Sequence, residues 1–199
     1  MLKKMKLGTG LWIGALLSLG GIAHASESLI GQPALNFSGQ AAGGSGLVSL
    51  NALMKEVSFL KDAQGQFVEK EGKYVMEVKK NVVVLNFFAT YCVPCIKEIP
   101  TYNRLFQKYQ GQAVKLVYVN VDPDINEDKA QRFILERKVE VPLLLPNQEQ
   151  VVKDYGVVGL PRIVVIDREG KIVQVITGFQ EDLEKQLMDM VGPLLTNPP

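Results

Sequence analysis

The chain has 199 residues, of which 47% are apolar and 22% charged, with a formal net charge of +1. This is the make-up of one soluble globular domain of moderate size, and the lack of a basic excess argues against nucleic acid as a partner.

The first residues are of another kind. Lys3, Lys4 and Lys6 precede an uncharged run from Leu7 to about Ala23, which ends in Ala23-His24-Ala25. That is the layout of a secretory signal peptide over residues 1–25. The run is also close to the lower length limit for spanning a bilayer, so membrane anchoring through residues 7–23 is the alternative if the segment stays uncleaved. Either way, residues 26–199 are expected to form a single domain in the periplasm or otherwise outside the cytoplasm. Cleavage takes three of the 22 basic residues and none of the 21 acidic ones, leaving a mildly acidic protein. It also takes His24, the only histidine. Ser-His-Asp and Cys-His catalysis and imidazole metal sites go with it, and neither a metal nor a cofactor is expected.

Ser26 to Gly46 mixes one short apolar piece with the stretch "SGQAAGGSG", which reads as a flexible loop. "LVSLNALMKEVSFL" reads as amphipathic. The segment after it, with Gly65, Gly72 and alternating Tyr74, Met76 and Val78, reads as a small hairpin. Val82 to Phe88 is a continuous apolar run of strand length, as expected for a strand covered on both faces. From Val93 to Tyr109 the apolar residues Ile96, Ile99, Tyr102, Leu105, Phe106 and Tyr109 recur at three and four residues, predicting a helix that Pro100 kinks. A second buried strand follows over Val114–Val121 and a second helix over Asp128–Arg137. Then come "VPLLLP", a short helical piece "QEQVVKDYGV", a hairpin of Arg162–Asp167 and Lys171–Thr177, and a last amphipathic helix over about Glu181–Val191. The order predicts an α/β fold with a central mixed sheet flanked by helices.

Both cysteines lie in "FATYCVPCIKE", at the junction of the first buried strand and its helix. A disulfide closing so short a loop restrains the unfolded chain little, so the pair makes a poor structural staple. Helix N-termini favour negative charge, and thiols in a Cys-x-x-Cys pair at such a position have lowered pKa values. Pro94 suits the first helical turn and stiffens the loop between the sulfurs. Cys92 is expected to attack a substrate sulfur, and Cys95, one turn deeper, to resolve the mixed disulfide. Glu98, three residues on, is either a solvated acid at the start of the helix or a buried acid with a raised pKa that exchanges a proton with Cys95. Pro161, in Gly159-Leu160-Pro161 just before a strand, is either an ordinary turn proline or a cis proline.

The succession "LNFFATYCVPCIKEIP", "KLVYVNVD" and "YGVVGLPRIVVIDREGKIV" resembles the thioredoxin superfamily, in particular its exported TlpA/ResA-like thiol–disulfide oxidoreductases. The resemblance covers roughly residues 30–191. It implies a thioredoxin-like fold with an N-terminal extension and a small inserted hairpin. It also implies that Cys92 is the nucleophile and Cys95 the resolving thiol, that Pro161 is a cis proline facing them, and that Leu160 pairs with bound polypeptide through its backbone. Glu98 matches the buried acid that tunes the thiols in this subgroup. Tyr91 stands where tryptophan is usual, and Asn86 where cytoplasmic thioredoxins carry a buried aspartate. Arg162 replaces a small or hydroxyl residue, as a cation beside the docking groove or a member of a salt bridge. Tyr91, Val93, Pro94, Leu160 and Arg162 are the candidate substrate-binding residues.

The implied function is reduction of disulfides in client proteins with cysteine pairs, apocytochrome c among them, with electrons from a membrane thiol donor. Two alternatives are a thioredoxin-like copper carrier, which soft thiolates would suit, and a redox-inactive binding module. A peroxiredoxin is the nearest other enzyme, but its Pro-x-x-x-Thr-x-x-Cys setting is not found around Cys92.

Overall fold

The computed structural model describes residues 29–44 and 46–196. The expected signal peptide or anchor lies outside the described residues, among which no helix is long and apolar enough to cross a membrane.

The centre of the fold is β7 (Val82–Phe88), buried at every position. Side chains alternate along a strand. Val82, Val84 and Phe88 therefore enter one core, and Val83, Leu85 and Phe87 the other. β8 (Val114–Asn120) runs parallel to β7, and β9 (Leu143–Pro146) parallel to β8. β10 (Arg162–Ile166) lies antiparallel on the other side of β7 and is followed by β11 (Ile172–Thr177). With β1 (Ser38–Ala41) and β2 (Leu47–Ser49), these strands make one mixed sheet in the order β11-β10-β7-β8-β9-β1-β2.

Helices cover both faces. The first core takes the inner sides of α2 (Val93–Tyr109), α3 (Glu127–Arg137) and α5 (Leu183–Thr196). The second takes α1 (Leu50–Met54) and α4 (Gln148–Asp154). α2 occupies the expected span and continues through Pro100. Three side-chain oxygens cap helix starts as short polar residues do: Ser49, Asn126 and Asn147 accept from the backbone amides of Ala52, Lys129 and Gln150.

Two stretches differ from expectation. The presumed flexible loop contains β1, which pairs with β9 on one side and β2 on the other. Its composition hides the strand, and packing explains the composition: a Cβ on Gly39 would stand 3.0 Å from the Pro146 nitrogen and 3.1 Å from the Leu145 carbonyl carbon. The inserted hairpin takes its first strand from the stretch read as amphipathic. The amphipathic piece turns extended at Lys55, where β3 (Lys55–Phe59) begins, and β3 pairs with β6 (Met76–Lys80) from Lys55↔Lys80 to Phe59↔Met76. The period-two pattern of Val57 and Phe59 prevails there over the helical one. β4 (Glu69–Lys70) and β5 (Lys73–Tyr74) form a smaller ribbon at its tip. Phe59, Phe67 and Tyr74 meet there edge to face, with centroids 5.6–6.0 Å apart. This aromatic cluster helps hold a two-stranded arm that would be marginal alone.

Gly39→Ala should force the β1/β9 backbones apart and cost about 1–3 kcal/mol, as overpacking does. Urea unfolding checks this, and an unchanged midpoint would mean that β1 yields freely.

Candidate active site

β7 delivers the chain to the edge of the sheet at Phe88, and α2 begins five residues later. The turn between them is held from β8. Asp122, itself buried, accepts from the Thr90 backbone amide at 2.9 Å, the Thr90 hydroxyl at 2.8 Å and the Asn120 side-chain amide at 3.0 Å. Sequence reasoning missed this clamp, whose only trace is a pair of polar residues ending an apolar strand.

Cys92 is the N-cap of α2, in extended conformation, and its sulfur accepts from the Cys95 amide at 3.3 Å. An acceptor is what the unpaired amides of a helix start require, and as a thiolate this sulfur would be stabilised by the same donor and by the helix dipole. Cys92 and Cys95 are joined as a disulfide, with Cα atoms 5.3 Å apart. Pro94 lies in the first turn. Cys92 retains 8% exposure and Cys95 only 1%, so the first sulfur is the accessible one.

Arg162 of β10 pairs with Phe87 of β7, which sets Pro161 level with the end of β7 beside the cysteine turn. The Leu160-Pro161 peptide bond is cis. Tyr91 and Val93, 70% and 62% exposed, flank Cys92. Val158 and Phe179, exposed just before β10 and just after β11, are further apolar side chains beyond the paired Arg162 and Thr177 and were absent from the sequence-based candidates.

Arg162 corrects an expectation. It is 1% exposed, so it offers no cation to a docking groove, and among the described residues it forms no salt bridge. Its side chain turns inward, where Nε donates to the Tyr155 carbonyl at 2.9 Å and Nη1 to the Thr177 hydroxyl at 2.8 Å. It ties the segment leading into Pro161 to β11.

Glu98 resolves its two alternatives in favour of burial, with 2% exposure. The inner stripe of α2 is Cys95, Glu98, Ile99, Tyr102, Leu105 and Tyr109. Glu98 belongs to it because residues three and four apart share a helix face. Burial pushes its carboxyl from 4.5 up to about 7, against smaller opposing pulls from the Gln180 backbone amide and the Asn86 side chain. Neither neighbour reaches hydrogen-bond geometry, and both carboxyl oxygens are without a partner. The site thus combines an accessible sulfur, a buried sulfur and an acid that titrates near neutrality one helical turn below. That set can exchange disulfides and move the accompanying proton.

The sign of the pH effect follows from the raised value. The unfolded chain releases this proton near 4.5 and the folded one near 7, so the stability due to Glu98 is complete below about 4.5, is lost up to about 7 and stays lost above. The loss is on the order of 3 kcal/mol. Glu98→Gln should therefore flatten the fall in unfolding free energy between about pH 4.5 and about pH 7 in the oxidised protein. Equal pH dependence in both proteins would show that the carboxyl is not held neutral.

Residues 30–175 match the model of the family described as AhpC/TSA. The thiol-disulfide oxidoreductase ResA of Geobacillus thermodenitrificans (strain NG80-2) is 41% identical over 115 residues, which make up 56% of this chain and 63% of that protein. The protein of the same name from Bacillus thuringiensis subsp. konkukian (strain 97-27) is 35% identical over 121 residues, 59% of this chain and 69% of that one. Among solved structures, the thioredoxin domain of a thiol-disulfide oxidoreductase from Bacteroides vulgatus superposes with a TM-score of 0.60. It is 23% identical and covers 81% of this chain and 97% of its own, which establishes the thioredoxin-like fold. The chain belongs to the AhpC/TSA family and groups within it with the thiol–disulfide oxidoreductases of thioredoxin-like fold.

Proposed function

We propose that this protein is an exported reductant of disulfides in client proteins, working through Cys92 and Cys95. The observation that carries the reading is the disulfide across the first turn of α2, with Cys92 slightly exposed, Cys95 fully buried and Glu98 buried one turn further in.

In the dithiol form, the Cys92 thiolate attacks one sulfur of a client disulfide, and the other client sulfur leaves as a thiolate. Cys95 gives its proton to the Glu98 carboxylate and attacks the Cys92 sulfur. The second client thiolate departs as the Cys92–Cys95 bond forms. The client gains two electrons and the protein loses two, which a membrane thiol donor restores. The exposed Tyr91 and Val93, with Val158 and Phe179, offer an apolar rim on which an extended client segment can lie, and Leu160 supplies backbone groups beside it. Apocytochrome c, whose haem-binding cysteines must be reduced, is a client of the required kind. Export follows from the signal-like residues 1–25, or anchoring from residues 7–23 if they are retained.

Equilibration with glutathione should give a Cys92/Cys95 potential near or below about −250 mV, close to the roughly −270 mV of thioredoxin. A value near about −120 mV would make the protein an oxidant instead. Cys95→Ser should trap clients as mixed disulfides through Cys92. Equal trapping by Cys92→Ser through Cys95 would remove the division of roles.

A further inference from the structure

Four polar side chains from three elements converge below the sulfurs. Asn86 projects from β7 on the side of Val84 and Phe88, Glu98 and Tyr102 from the inner stripe of α2, and Tyr118 from β8. All are at most 2% exposed. The rings of Tyr102 and Tyr118 lie 5.2 Å apart. The Glu98 charge acts on both hydroxyls, and Asn86 stands beside both Glu98 and Tyr102. Both polar atoms of Asn86, both carboxyl oxygens of Glu98 and the two tyrosine hydroxyls lack a hydrogen-bond partner.

Stability alone does not produce such a cluster. Phenylalanine at both tyrosine positions would keep the rings and spare the core two buried hydroxyls, which are costly to take out of water. The tyrosines do not ionise in the working range, since burial first, and then Glu98 and, for Tyr102, Tyr118, hold them well above 10. Their remaining capacity is to turn the hydroxyl, donating to a carboxylate or accepting from a carboxylic acid.

We propose that Tyr102 and Tyr118 are positioning residues for exchange: their hydroxyls turn toward Glu98 when it ionises, with the Asn86 amide as a further donor, and so ready it to take the Cys95 proton. This rests on Glu98 being the proton acceptor proposed above. In the step itself a proton leaves the Cys95 sulfur for a Glu98 oxygen, no electrons move, and the hydroxyls only reverse from donors to acceptors. The groups facing Glu98 are Cys95 and Tyr102 from its own helix, Asn86 from β7, Tyr118 from β8 and the Gln180 backbone ahead of α5. Among the described residues no cation or second carboxylate perturbs it.

The test uses the full chain, with difference infrared spectroscopy to follow the Glu98 carboxyl against pH and exchange with a disulfide-bonded peptide measured over the same range. Tyr102→Phe and Tyr118→Phe should each raise both midpoints by about one pH unit, slowing exchange near neutrality by up to about tenfold. Both variants keep the packed rings, so the Tm of the oxidised protein should change little. Tyr109→Phe, on the same helix face beyond the cluster, should move nothing. Carboxyl midpoints that stay at the wild-type value in both variants, while Glu98→Gln removes the pH dependence of exchange, would overturn the tyrosine assignment alone. Exchange whose pH profile is untouched by Glu98→Gln would remove Glu98 as the proton acceptor, and the proposal with it.

Discussion

Burial of the inner face of α2 against β7 and β8 has two opposed effects within one helical turn. At the mouth of the helix it holds Cys92 where an amide and the helix dipole favour an anion. One turn further in, the same packing removes water from Glu98 and disfavours its anion. A disulfide exchanger needs both. Its attacking sulfur must ionise readily, and the proton of its resolving sulfur must have somewhere to go that is vacant near neutrality. A surface carboxylate would be far weaker as a base, and a fully apolar helix face would supply none.

The surroundings of the turn are built for position. The Asp122 clamp ties Thr90 to the end of β8, and Arg162 ties the run into Pro161 to β11. The cysteine turn and the proline segment are thereby fixed from opposite sides of β7, whose central place in the sheet makes it the common reference. Taking polar groups out of water is costly, so the four polar side chains buried under the sulfurs are a burden the rest of the core must offset. A fully buried β7, apolar except at Asn86 and with cores on both faces, is what makes that tolerable.

Much of the architecture was legible because the elements around the site carry strong local signals. Val82–Phe88 is apolar at every position but Asn86 and α2 has a clean three-and-four spacing, so both appeared with their observed bounds. β1 did not, since "SGQA" has the composition of a loop and becomes a strand only because β9 and β2 flank it closely. The start of the β3–β6 arm was obscured for a related reason. A short amphipathic stretch satisfies both periods, and pairing with a strand some twenty residues away decides between them.

By itself the sequence determined the two sulfurs, their spacing and their place at a strand-to-helix junction, because the chemistry of a Cys-x-x-Cys pair at a helix start is local. Tertiary structure alone decided the fate of the charged and polar residues around them. Glu98 and Arg162 look alike in a string as ionisable groups open to water. The fold buries both, making one a titratable acid and the other a strut. The gathering of Tyr102, Tyr118 and Asn86 around Glu98 depends on two strands and a helix meeting at one depth, and no spacing along a single segment records that.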